Sequence, residues 1–116
     1  SFFATLQEAL ATDQYDRLVQ RLTADARLYS DGGGKVAAAL KPIRGAQKVA
    51  KFLFGLYQLS EGAFEAEAVR INGLPALLLY RNGRLETTIS VGLEGEQCAW
   101  LAFVRNPEKI SADFVT

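Results

Sequence analysis

Two residues, Asn82-Gly83, constrain this chain more than any others. They lie between two strand-like runs, "LLLYR" and "RLETTIS". A two-residue loop that matches the right-handed twist of its strands needs positive φ at both positions, and Asn-Gly meets that demand at little steric cost. The spacing predicts a hairpin closed by a type I′ turn. The neighbouring runs, residues 64–71, 75–81, 84–93 and 96–104, are also strand-like, with "NGLP", "NG" and "EGE" between them. Together they read as an antiparallel meander.

Upstream the period changes from two to 3.6. Ala46, Val49, Ala50, Leu53, Leu56 and Tyr57 recur at i, i+3, i+4, while Gln47, Lys48, Lys51 and Gln58 fall opposite, so a helix is predicted over residues 46–59. Phe2, Phe3, Leu6, Ala9 and Leu10 form a similar stripe. A second short helix, capped by Thr12 or Asp13, carries Tyr15, Leu18, Val19 and Leu22. "ARLYSD" reads as a strand ended by glycines. Pro42 and Gly45 bracket "KVAAALKPI" and favour a short extended segment there. Helices followed by a meander define an α+β domain with the helices on one sheet face. A strongly curved sheet wrapped around a helix leaves a concave mouth of the kind that holds ligands.

Several chemistries are excluded by what the 116 residues lack. There is no histidine, so neither a Ser-His-Asp nor a Cys-His mechanism, nor a His-ligated metal, is available. No cofactor or metal is expected. Lys+Arg and Asp+Glu number 13 each, which removes the positive excess that direct nucleic-acid binding needs. The single cysteine, Cys98, forms no internal disulfide, sits in "CAWLAFV" as a small buried hydrophobe, and fits a cytoplasmic location. No apolar run is long enough to span a bilayer, and no signal peptide is seen. The chain opens on Ser1 and contains no Met, as expected of a piece cut from a longer protein or of a processed chain.

The stretch "LYSDGGGKV" (residues 28–36) is the main candidate for function. It is not a phosphate loop, because Tyr29 stands where the first glycine is required and Val36 where Ser or Thr should ligate magnesium. Gly32-x-Gly34-x-x-Ala37 imitates a dinucleotide fingerprint, but Pro42 stops any following helix too early and the later strands are antiparallel. Asp31 at the strand end is a candidate general base, although no facing tyrosine or second acid accompanies it. The alternative is an Asx-type turn over the glycine amides. Glu65 and Glu67 share one strand face and read as solvated. Among the aromatics, Phe52, Phe54, Tyr57, Tyr80, Trp100 and Phe103 serve either as core or as pocket lining, and Tyr29 joins the candidate lining. Arg105, directly after the most apolar strand, would anchor an anion, pair with Asp31, or end the strand in solvent.

Three segments together carry a family resemblance. "DGGGK" (Asp31 to Lys35), "KPIRGA" (Lys41 to Ala46) and "VRNPEKI" (Val104 to Ile110) resemble the SnoaL-like, nuclear-transport-factor-2-like C-terminal extension of one group of extracytoplasmic-function sigma factors. That extension typically carries "DGGGK" and a later "NPDKL". Here Glu108 replaces its Asp and Ile110 its Leu, and no sigma-type DNA-binding or polymerase-binding region, nor the linker motif, is present.

The resemblance covers nearly all of residues 1–116. It implies a single cone-shaped domain of three N-terminal helices on a strongly curved, mainly antiparallel sheet. It also implies a regulatory role in cis, packing on the sigma regions of the same polypeptide and through them on RNA polymerase, with a small ligand as an optional input. The implied contact motif is Asp31, Gly32, Gly33, Gly34, Lys35, Asn106, Pro107, Glu108 and Lys109. Two other readings stay open: a ketosteroid-isomerase-like enzyme using Asp31 as base, and a module that forms a homodimer through an exposed sheet face.

Overall fold

The computed structural model describes residues 1–31, 42–60 and 64–104. Its elements run α1 (Phe2–Ala11), α2 (Tyr15–Gln20), β1 (Leu22–Asp31), β2 (Ile43–Arg44), α3 (Ala46–Ser60), β3 (Glu65–Ile71), β4 (Leu74–Arg81), β5 (Arg84–Glu94) and β6 (Gln97–Val104). The α+β class, the long third helix and the four-strand meander appear as the sequence predicts. Two helices precede the first strand, and the third enters after β2.

Local chemistry accounts for the boundaries. Ser1 caps α1, its hydroxyl accepting from the Ala4 N–H at 3.3 Å. At the other end the Thr12 hydroxyl donates back to the Glu8 carbonyl at 2.7 Å. The cap of α2 differs from the expectation: it is Gln14, with no side-chain cap bond, because Asp13 takes a positive φ of 56° to turn the chain out of α1. The type I′ turn is present at Asn82 and Gly83, with φ of 53° and 76°. Asn72 and Gly73 repeat it at 52° and 80°, so Leu74 and Pro75 of "NGLP" fall inside β4.

The sheet order is β2-β1-β6-β5-β4-β3. Pairings are antiparallel except β1 with β6, which run parallel with Leu28 opposite Leu101 and Asp31 opposite Val104. That pairing lies beyond what hairpin signals specify, since it joins strands far apart in the chain. Irregularities in the β1–β6, β4–β5 and β5–β6 ladders bend the sheet.

All three helices supply residues to one core. Phe2, Phe3, Leu6 and Ala9 of α1, Leu18 of α2, and Val49, Ala50 and Leu53 of α3 meet Leu28, Val91, Leu101 and Phe103 of the sheet. Leu28 and Leu101 are essentially inaccessible, so truncating either to Ala costs about 2–5 kcal/mol by lost transfer energy and cavity formation. Polar ties hold the helices in place. The Tyr15 hydroxyl donates to the Gln47 carbonyl at 2.8 Å, and Arg21 donates from Nε to the Glu96 carbonyl at 2.7 Å and from Nη1 to Thr5 Oγ1 at 2.9 Å.

Candidate functional site

The contact motif outside Asp31, namely Gly32, Gly33, Gly34, Lys35, Asn106, Pro107, Glu108 and Lys109, lies outside the described residues, as does Arg105. For Asp31 the backbone is described: it ends β1, opposite Val104. The remaining candidates are dispersed by strand alternation. Phe103 lines a cavity on the helix-covered face, and Phe52 meets it edge-on at 6.3 Å between ring centroids. Tyr29 is 42% exposed. Trp100 lies opposite Gly92, and its ring occupies the space a side chain there would need. The Tyr80 hydroxyl donates to Glu67 Oε1 at 3.3 Å; desolvation and then the Glu67 carboxylate hold its phenol above the ordinary value. Glu65 and Glu67 are exposed, as their shared face suggests. Cys98 is fully buried, and burial pushes its thiol up to about 12.

The cavity measures about 470 Å³, within the usual range for small-molecule sites of ~300–1,000 Å³. It opens between α1, α3 and the inner face of the meander. Leu6 and Leu10 form one wall, Leu53 and Leu56 a second, and Leu77, Leu79, Ile89 and Phe103 the floor. Tyr57, Leu59 and Phe64 border it as well, and Leu59 is 83% exposed. The polar groups on the wall are Gln7, Tyr57, Ser60, Arg81 and Thr87, and no carboxylate lines it among the described residues.

Arg81 reaches this face because 77, 79 and 81 alternate inward along β4. Opposite it the ladder slips: Leu79 pairs with Thr87 and Tyr80 with Leu85, leaving Glu86 as the extra residue of a bulge. That slip puts Glu86 Oε2 at 3.3 Å from Arg81 Nε, and the guanidinium carbon stands 4.6 Å from the Phe64 ring centroid. The sequence reading missed Arg81. Its available signal was a lone charge continuing an inward row of leucines.

A crystal structure of an NTF2-like protein of unknown function from Cytophaga hutchinsonii superposes with a TM-score of 0.60 at 12% identity, covering 92% of this chain and 88% of that one. The fold is NTF2-like. An LEH-like epoxide hydrolase from Mycobacterium tuberculosis superposes with a TM-score of 0.53 at 15% identity, over 90% and 80% of the two chains. In sequence, the chain is 30% identical over 116 aligned residues to the ECF RNA polymerase sigma factor SigJ of M. tuberculosis, covering 91% of this chain and 37% of that protein. The SigJ crystal structure matches with a TM-score of 0.68 at 24% identity, over 93% of this chain and 42% of that one. The chain thus spans little more than a third of the curated relative it matches, and it is similar to a sigma-factor-associated domain. No family model matches. None of the described helices is long and apolar enough to cross a membrane.

Proposed function

We propose that this NTF2-like chain is a regulatory domain of an extracytoplasmic-function sigma factor, acting in cis by packing on the sigma regions of its own polypeptide and, through them, on RNA polymerase. The carrying observation is that one protein, SigJ, matches both the sequence and the fold over more than nine-tenths of the chain. In this reading the glycine-rich segment from Asp31 to Lys35 and the segment from Asn106 to Lys109 form the contact surface.

The chemistry of the cavity supports a non-catalytic role. The chain has no histidine, and the described lining has no carboxylate to serve as general base. The test uses the full-length protein and a promoter-driven reporter. Removing this domain, or substituting Asp31→Ala or Lys35→Ala, is expected to change promoter output while the variants remain folded by circular dichroism. Output matching wild type in all three would sink the proposal.

A further inference from the structure

The cavity and Arg81 together specify a ligand class, an inference that rests on the regulatory reading and names its input. The walls are mostly aliphatic and aromatic, so an occupant gains from burying an apolar body. At one side stands a single cation whose orientation is set by its neighbours. Glu86 engages Arg81 through Nε, and the Phe64 ring lies against the guanidinium. Neither Nη donates a hydrogen bond to another of the described residues, and that edge of the fork is shaped for a planar acceptor.

We infer that the cavity binds a small molecule with an apolar body and one carboxylate, the carboxylate meeting the Nη edge of Arg81. A monoanion fits better than a phosphate, because Glu86 already offsets part of the guanidinium charge and no second cation lines the cavity among the described residues. Thr87, buried at 3% exposure, and Gln7 on the α1 wall add further polar groups to the lining.

The experiment titrates the full-length protein calorimetrically with decanoate, 1-naphthoate and decanol, the last matching decanoate in chain length without its charge. Saturable 1:1 binding of decanoate is expected, with decanol at least about tenfold weaker, the loss of one charge-assisted contact. Arg81→Gln should weaken decanoate about tenfold and leave decanol unchanged. Leu56→Trp, which fills the cavity, should remove both. Melting curves check that the variants fold, and the Arg81 substitution at the half-exposed mouth keeps the test sound if the tryptophan variant does not. Equal affinity for decanoate and decanol, an unaffected Arg81→Gln, or no saturable binding of either carboxylate overturns the inference. Failure here leaves the promoter result untouched. Conversely, a silent domain deletion with intact decanoate binding removes the regulatory reading and spares the site.

Discussion

Replacing Gly92 with alanine tests how the outer face of the sheet is packed. Gly92 pairs with Trp100 across the β5–β6 ladder, and a Cβ built on it would fall 1.9 Å from Trp100 Nε1, 2.3 Å from Cε2 and 2.7 Å from Cδ1. The glycine is required for space, since the indole lies on the bare backbone. An ordinary contact needs about 3.5 Å, so the ring must retreat by about 1.6 Å or swing off the strand. The ladder holds the backbone, which leaves the side chain to move, and the cost is about 2 kcal/mol of overpacking and lost indole contact. For a domain of this size that is a fall in Tm of about 8 °C. The chain has one tryptophan, so its emission should shift to the red as the ring meets water. Thermal denaturation and fluorescence of Gly92→Ala are compared with the same substitution in a Trp100→Leu background, where most of the penalty should vanish. Unchanged Tm and emission, or an equal cost in both backgrounds, would refute the reasoning.

Two further substitutions probe buried polar groups. Thr88 Oγ1 is buried with no hydrogen-bond partner among the described residues, so Thr88→Val, which keeps the shape, should stabilise the fold by about 1 kcal/mol in urea titrations; a loss of stability would indicate a partner for that hydroxyl. Cys98 gives a pH dependence of definite sign. The folded thiol keeps its proton to about pH 12 while the unfolded one releases it near its ordinary value, so the stabilisation is full below that value and declines above it, by up to about 1.4 kcal/mol per pH unit. Urea midpoints from pH 7 to 11 should therefore fall more steeply for wild type than for Cys98→Ala, and parallel profiles would contradict this.

Much of the architecture was legible because local rules dictate it. The α3 stripe and the Asn82-Gly83 turn each follow from short-range sterics and amphipathicity. The β1–β6 pairing was not legible, because period-two patterning states which face a residue takes and says nothing about which strand lies beside it. The candidate pocket list shows the same limit. Trp100 and Phe103 are an odd number of residues apart on β6, so regular alternation puts them on opposite faces, and of the two only Phe103 lies in the cavity wall. Residues of the cavity such as Leu56 and Arg81 belong to separate elements whose spacing depends on how far α3 stands from the meander, a distance no single segment encodes.

The position of β6 has a consequence for synthesis. It is the last of the described strands along the chain, yet it lies inside the sheet, between β1 and β5. Until residues up to Val104 have left the ribosome, the β3–β4–β5 meander and the β1–β2 pair have no strand to join them, and Leu28 waits for Leu101. Closing so long a loop is entropically costly and slow compared with forming hairpins. The domain therefore completes in one late step rather than strand by strand, and a nascent chain halted before β6 presents two additional open sheet edges, on β1 and β5, to whatever binds exposed strands in the cell.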